Sequence, residues 1–268
     1  MEASQPWPVE AVDVVAHTPH LTVVEGSGNV VAIPLRPELA PTDHVERLRN
    51  QIEWASFLPA RAMGRTWATQ QVLKRVIDIV ASVILLTLLS PLFLLAALLV
   101  KLTSRGPVFY EFRVLGQHAR PFVAYKFRTM VENADDLKPA LLQHNEMRGP
   151  AFKMRNDPRI TPVGRWLRKL SIDELPQLWS VLVGDMSLVG PRPPFAEEFR
   201  QYKSWQWGRL AVTPGITCIW QVTGRSDISD FDDWAALDAE YIKNWSLGLD
   251  FKILLLTIPA VLRGKGAY

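Results

Sequence analysis

The chain has 268 residues, of which 48% are hydrophobic and 21% are charged, and its formal net charge is +3 at pH 7. This length fits one large domain or two small ones. The low charged fraction favours membrane contact over a fully soluble protein, and we expect no nucleic acid as a partner. A single cysteine, Cys218, excludes an intrachain disulfide or a thiolate metal cluster, which agrees with a reducing compartment.

Residues 1–70 differ in character from the rest of the chain. Residues 21–35 contain two short β-branched runs around Gly26-Ser27-Gly28, which predicts a β-hairpin. Residues 44–57 have the apolar spacing of a helix. We assign no chemistry to this region and expect it to pack on the remaining domain, residues 71–268, or to form a homodimer contact.

The predicted membrane segment covers residues 76–100, and residues 79–100 carry no charge. As a helix, those uncharged residues would reach about 33 Å, enough to cross a bilayer. Ser90-Pro91 interrupts the segment, because proline removes a backbone hydrogen bond and Ser90 can bond a freed carbonyl. Bases flank both ends, and the positive-inside rule allows a spanning helix one cytoplasmic end. A re-entrant helix satisfies these features, and a kinked span remains the alternative.

Two further features concern the membrane boundary. Asp78 lies one turn after Lys74 and Arg75, which predicts an ion pair on one helix face. Residues 249–268 predict an amphipathic helix in the membrane interface, with Trp234 and Trp245 beside it, or alternatively a buried helix.

The remaining pattern predicts an α/β fold that is mostly helical with few short strands. Two strands are expected within residues 106–130. Helices are expected near residues 131–145, 174–183, 194–204 and 230–244.

Residues 171–193 read SIDELPQLWSVLVGDMSLVGPRP and place adjacent carboxylates, Asp173 and Glu174, near a helix start. Ser171 and Glu174 fit a capping box, or Asp173 is itself the N-cap. The helix dipole keeps such a carboxylate ionised, so capping is compatible with nucleophilic attack on phosphorus. Arg192 has the planar donor geometry that suits phosphate oxygens.

A basic run precedes this segment, and Asp157 is the single acid within it. Such a run favours phosphate, nucleic acid or anionic lipid, and a solvated basic face is the alternative. Its bases are Lys153, Arg155, Arg159, Arg165, Arg168 and Lys169.

Several motifs stand in order along residues 71–268. They are KRVID at 74–78, Ser90-Pro91, YKFRTM at 125–130, DPRITPVGRWLR at 157–168, DELPQLW at 173–179, GDMSLVGPRP at 184–193, TPGIT at 213–217 and QVTGR at 221–225. In this order they resemble the motifs of bacterial sugar transferases, the monotopic phosphoglycosyl transferases that load a phosphosugar onto a polyprenyl phosphate. Two positions depart from that pattern. Residues 112–115 read Phe-Arg-Val-Leu, where the family usually has a polar residue and an arginine just before the glycine at Gly116. Cys218 replaces a usual glycine and is expected to pack as a small apolar residue.

The resemblance implies transfer of a hexose-1-phosphate from UDP-glucose or UDP-galactose to undecaprenyl phosphate, with release of UMP. Asp173 looks like the nucleophile that forms a covalent aspartyl-phosphosugar, and Glu174 looks like a proton acceptor or metal organiser. Mg²⁺ held by these two carboxylates would offset phosphate charge. The implied phosphate-binding residues are Lys126, Arg128, Arg159, Arg192 and Arg225.

The same resemblance implies a monotopic enzyme of the bacterial inner membrane that contacts membrane lipids and faces the cytoplasm. It would initiate exopolysaccharide or lipopolysaccharide O-antigen assembly. Two other classes remain possible from the residues: a membrane glycosyltransferase that releases UDP, and a catalytically silent membrane adaptor. No DxD-like metal motif within a sugar-nucleotide fold is evident, and the intact Asp173-Glu174 pair favours phosphosugar transfer.

Overall fold

The computed structural model describes residues 42–223 and 228–264, and helices dominate this part of the chain. The four described strands form two two-stranded sheets. The predicted mostly helical fold with few short strands is therefore confirmed. The hairpin predicted over residues 21–35 lies outside the described residues.

The first described element is helix α1, Thr42–Gln51, followed by a 3₁₀ turn at Trp54–Phe57. Val45, Leu48 and Phe57 are buried in the largest apolar cluster, which also holds side chains from residues 115–235. The helical spacing predicted over residues 44–57 is confirmed, with a break between the two helical pieces.

Helices α2, Arg65–Leu88, and α3, Ser90–Thr103, meet at a bend of 60°. Pro91 lies in the first turn of α3. Backbone N–H groups in the first turn have no acceptor within the helix, so the N–H that proline lacks costs no hydrogen bond there. The Ser90 hydroxyl donates to the Thr87 carbonyl at 2.8 Å. The predicted break is confirmed. By length and apolar composition neither helix suffices to cross a membrane by itself, whereas the bent pair does.

The chain continues with the two predicted strands, which form an antiparallel hairpin, and then with helices and a small parallel sheet. The hairpin strands are β1, Phe109–Leu115, and β2, Pro121–Phe127. The next elements are α4, Ala134–Leu141; α5, Pro162–Lys169; α6, Leu178–Val183; β3, Ser187–Val189; and α7, Ala196–Phe199. The last are β4, Gly215–Thr217; α8, Ile219–Thr223; α9, Phe231–Asn244; and α10, Leu247–Arg263.

The predictions for residues 194–204 and for two tryptophans need correction. The helix predicted over residues 194–204 shrinks to α7, because the chain turns into a separate 3₁₀ segment at Ser204–Leu210. Trp234 and Trp245 are buried rather than interfacial. Their rings pack inside the protein, and the Trp245 N–H donates to the Asp250 carboxylate at 3.1 Å.

The ion pair predicted for Asp78 is also wrong. Lys74 Nζ pairs instead with Asp250 Oδ2 at 2.6 Å, and Arg75 donates to two carbonyls at the end of α6. Asp78 Oδ1 accepts the Leu188 N–H at 3.0 Å. Strand β3 and helix α10 pack against this face of α2 and supply nearer partners than the helix itself.

Candidate active site

A cavity of 380 Å³ brings together side chains from β2, α5, the segment after α5 and the segment after β3. Its lining mixes acids and bases. The charged residues of its lining include Lys126, Arg168, Asp173, Glu174, Arg192 and Glu198.

The two central carboxylates lie in a 3₁₀ turn, Ile172–Gln177, which leads directly into α6. Ser171 precedes this turn with a left-handed φ of 54°, and its N–H donates to the Arg168 carbonyl at the end of α5. Ser171 therefore terminates α5, and its side chain makes no capping hydrogen bond. The predicted capping box is wrong, and so is the N-cap role of Asp173, which lies inside the turn.

Helix α5 is fixed against the end of β2 by a close backbone approach. A Cβ on Gly164 would lie 2.0 Å from the Thr129 carbonyl oxygen, so only glycine allows this contact. Thr161 caps α5 by accepting the Gly164 N–H at 3.0 Å. One turn later, Arg168 Nε donates to Thr129 Oγ1 at 2.9 Å. These contacts hold the Arg168 guanidinium beside the carboxylates.

Asp173 is buried, and its pKa is raised to about 6. Burial is the main cause, and the neighbouring charge of Glu174 raises the pKa further. The charges of Arg168 and Lys126 act in the opposite direction and favour the ionised carboxylate. The group is therefore largely ionised at neutral pH but poorly solvated, which is the state that a carboxylate nucleophile requires.

Lys126 is the complementary group on strand β2. Burial, followed by repulsion from Arg168, lowers its pKa to about 8. Its Nζ also lies 5.1 Å from the ring centroids of both Tyr110 and Phe112 on β1. Cation–π attraction from these rings favours the charged lysine at this position.

Arg192 reaches the site from the loop after β3, and its Nη1 lies 3.2 Å from Glu174 Oε1. The Arg192 side chain is 45% exposed, so the pair contributes little stability and can exchange partners with a ligand. The loop backbone is better fixed. Gly190 N–H donates to the Thr217 carbonyl at 3.0 Å, and Arg209 Nη2 donates to the Arg192 carbonyl at 3.3 Å.

Arg128 and Arg159 line the same cavity, but their donors are directed at the protein. Arg128 donates to the carbonyls of Ser104 and Arg105. Arg159 grips both carboxylate oxygens of Asp157, with the shortest contact at 2.6 Å. Both arginines are buried. Arg225, the fifth predicted phosphate ligand, lies outside the described residues.

Sequence reasoning assigned no specific role to Arg168. It counted this residue only within the basic run, which the structure divides. Lys153, Arg159 and Arg168 line the cavity, whereas Arg155, Arg165 and Lys169 are exposed. The position of Arg168 in the sequence could have indicated its role, because Arg168 lies in the last turn of α5, the helix that precedes Asp173.

The donor set suits one kind of metal site. Within residues 42–223 and 228–264, no three histidine, cysteine or acidic side chains are arranged to hold a metal. Mg²⁺ typically binds to one or two carboxylates and completes its shell with water and substrate phosphates. Asp173 and Glu174, which are adjacent in the chain and line a cavity that also contains lysine and arginine side chains, fit that mode.

The cavity thus combines the buried Asp173 carboxylate, the second acid Glu174 and three nearby cations, Lys126, Arg168 and Arg192. Residues 69–264 match the family model described as bacterial sugar transferase, and the chain belongs to this family. The resemblance stated from the motifs is thus confirmed.

Three relatives illustrate the similarity. The chain is 44% identical over 199 residues to the exopolysaccharide production protein ExoY of Rhizobium meliloti, which covers 73% of this chain and 88% of that protein. It is 45% identical over 201 residues to an undecaprenyl-phosphate galactose phosphotransferase of Salmonella typhimurium, covering 73% of this chain and 42% of the relative. It is 51% identical over 162 residues to the galactosyl transferase CpsE of Streptococcus agalactiae, covering 60% and 36% respectively. The chain thus spans less than half the length of two of these relatives.

Proposed function

We propose that this protein transfers a hexose-1-phosphate from a UDP-sugar, UDP-galactose or UDP-glucose, to undecaprenyl phosphate. The observation that carries the proposal is the buried Asp173 carboxylate, with its raised pKa, in a cavity that also presents Lys126, Arg168 and Arg192. The names of two relatives, a galactosyl transferase and an undecaprenyl-phosphate galactose phosphotransferase, support the substrate classes.

The reaction proceeds in two displacements. The ionised Asp173 attacks the sugar-linked phosphorus, so a carboxylate–phosphorus bond forms while the bond to the UMP phosphate breaks. UMP leaves with that electron pair. A phosphate oxygen of undecaprenyl phosphate then attacks the same phosphorus and displaces Asp173 as a free carboxylate. The product is a polyprenyl diphosphate sugar.

The cations make both displacements electrostatically feasible. Each step brings an anionic nucleophile toward an anionic phosphoryl group, and that repulsion is strong in a water-poor cavity. Lys126, Arg168 and Arg192 offset it where the charge gathers. From their contacts we assign Arg128 and Arg159 to holding neighbouring loops, while phosphate binding by Arg225 stays a prediction.

Glu174 serves as a proton acceptor or as a metal ligand next to the nucleophile. If the acceptor phosphate enters with a proton, Glu174 is the adjacent base that can receive it. Mg²⁺ bound by Asp173, Glu174 and substrate phosphates would supply additional positive charge.

The bent pair α2–α3 fits a re-entrant insertion from the cytoplasmic face of the inner membrane. Its exposed apolar side chains include Leu88, Leu94 and Leu102, each at least 70% exposed, and such a surface requires a lipid or protein partner. Helix α3 packs against α5, which carries Arg168. We infer that this arrangement lets a lipid-borne phosphate reach the cavity, as initiation of a polysaccharide repeat unit requires.

The test is to identify the nucleotide that the full chain releases in detergent or nanodiscs with Mg²⁺, undecaprenyl phosphate and a panel of UDP-sugars. We expect UMP, released only with the correct donor and absent with Asp173→Asn. Release of UDP would overturn the proposal in favour of simple glycosyl transfer. No release from folded protein across the panel would overturn it in favour of an adaptor.

A further inference from the structure

We infer that Lys74 and Asp78 of α2, together with Asp250 of α10, are positioning residues that hold β3 and thereby place Arg192 against Glu174. The inference rests on the proposed function, because Arg192 is a cation that we assign to the transferred phosphate.

Helix α2 holds the backbone of β3 at two successive residues. Lys74 Nζ donates to the Val189 carbonyl at 3.0 Å. One helical turn later, Asp78 Oδ1 accepts the Leu188 N–H at 3.0 Å. A donor and an acceptor on one helix face therefore fix the position of this three-residue strand along α2 and its rotation about its own axis. Among the described strands, β3 pairs only with β4.

Asp250 holds Lys74 in this position. Its Oδ2 lies 2.6 Å from Lys74 Nζ and accepts the Trp245 indole N–H at 3.1 Å. Its Oδ1 accepts the Tyr241 hydroxyl at 2.7 Å. The Lys74 and Asp250 side chains are only 11% and 8% exposed. A buried pair with its lone pairs satisfied is costly to break, because breaking it leaves an uncompensated charge.

Arg192 follows β3 after only two residues, and that connection is stiff. Gly190 N–H and the Pro191 carbonyl both bond to the segment that contains β4. Pro191 and Pro193 restrict the backbone on either side of Arg192. A shift of β3 is therefore passed on to Arg192, whose single contact with Glu174 is 3.2 Å long.

This chain of contacts links α2, the first helix of the bent apolar pair, to a cation in the cavity. A displacement of about 1 Å in a positioned group can reduce turnover by two orders of magnitude. The placement of α2 against β3 is thus required for phosphate transfer and not only for membrane attachment.

The test compares Asp250→Asn and the milder Tyr241→Phe with Lys252→Met, an exposed control on α10, in the full-length protein in nanodiscs. One readout is hydrogen–deuterium exchange, comparing a peptide that covers residues 187–192 with one that covers the β1–β2 hairpin. The other is the kcat and KM for the UDP-sugar, measured with and without Arg192→Met.

We expect faster exchange at residues 187–192 with the β1–β2 peptide unchanged, and a kcat about tenfold lower at an unchanged KM. In the Arg192→Met background the same substitutions should have little further effect on kcat, because coupled residues are not additive. The Lys252→Met control should behave as the parent protein.

Exchange that rises equally in both peptides, or kcat losses that simply add to those of Arg192→Met, would overturn the inference and make the network a general support of the fold. Tyr241→Phe keeps the ring and both members of the ion pair, so it guards against loss of folding. If the parent protein releases no UMP, the proposed function fails, while an exchange increase confined to residues 187–192, or its absence, still decides whether α2 and α10 hold β3.

Discussion

Asp173 and Asp250 are buried to the same degree, at 7% and 6% exposure, but their surroundings differ. Asp250 accepts hydrogen bonds from Lys74, Tyr241 and Trp245. Within the described part of the chain, the Asp173 carboxylate forms no ion pair, although cations lie nearby.

Equal burial thus leaves the two carboxylates with different numbers of hydrogen-bond donors. At Asp250 the donors satisfy the charge, so the group serves as an anchor between helices. At Asp173 burial is left partly uncompensated, and the pKa rises to about 6. On the proposed mechanism, the number of hydrogen-bond donors around each carboxylate decides whether it anchors the fold or takes part in the reaction.

Removing the Asp173 carboxylate should have the largest effect. Asp173→Asn should lower kcat by about 10⁴-fold or more, the loss typical of a covalent nucleophile. Initial-rate measurement of UMP release checks this, with Asp233→Asn on the exposed face of α9 as the control. Residual turnover within tenfold of the parent would show that Asp173 is not the nucleophile.

The cations that face Asp173 should matter more to activity than those bonded to the protein. Lys126→Met should lower kcat/KM by about 10²- to 10³-fold, as for other removed groups that stabilise a transition state. Lys203→Met is a matched control, because Lys203 forms only an exposed ion pair with Asp232. Equal kinetics for the two variants would contradict the assignment of Lys126.

The two shifted groups predict a bell-shaped pH profile of kcat/KM. Activity should rise as the pH increases through about 6, because Asp173 must lose its proton. It should fall as the pH increases through about 8, because Lys126 then loses its charge. Lys126→Arg keeps a cation at high pH and should remove the alkaline limb. A profile that stays flat below pH 6 and above pH 8 would contradict the pKa assignments.

Arg159 should behave as a structural residue. Arg159→Met leaves the Asp157 carboxylate buried without its partner, so the free energy of unfolding should fall by about 3–5 kcal/mol. Thermal denaturation measures this, with the exposed Arg165→Met as the control. The double variant with Asp157→Asn should recover part of the loss. An increased KM for the UDP-sugar at unchanged stability would instead indicate phosphate binding.

Helix α1 should affect stability but not chemistry. Leu48→Ala should reduce the free energy of unfolding by about 2 kcal/mol, because it leaves a cavity at the edge of the largest apolar cluster. Denaturant titration checks this against Glu46→Ala, an exposed position on the same helix. A normal stability but a lowered kcat would mean that this region contributes to the active site.

Local patterns in the sequence predicted much of the fold. The uncharged run with Ser90-Pro91 indicated two helices and a break, because the effect of proline on helical hydrogen bonding is local to its own segment. The β-branched and aromatic runs indicated the β1–β2 hairpin. The order of motifs indicated the family, and Asp173 and Glu174 do line the cavity.

The partners of charged residues could not be predicted in the same way, because they come from distant segments. Asp78 was expected to pair within α2, but β3 supplies its donor. Ser171 had a capping sequence, yet the preceding helix ends there and forces it into a left-handed conformation. Arg159 and Arg168 belong to one basic run, and only the tertiary structure assigns one to Asp157 and leaves the other beside Asp173.

The most direct measurement is the intact mass of the protein after incubation with the correct UDP-sugar and Mg²⁺ in the absence of undecaprenyl phosphate. We expect a mass increase equal to one hexosyl phosphoryl group (hexose phosphate minus water), matched by one equivalent of UMP. The increase should be lost on addition of the lipid phosphate and absent in Asp173→Asn. An unmodified mass, with UMP appearing only when the lipid phosphate is present, would contradict the covalent intermediate and indicate direct transfer between the two substrates.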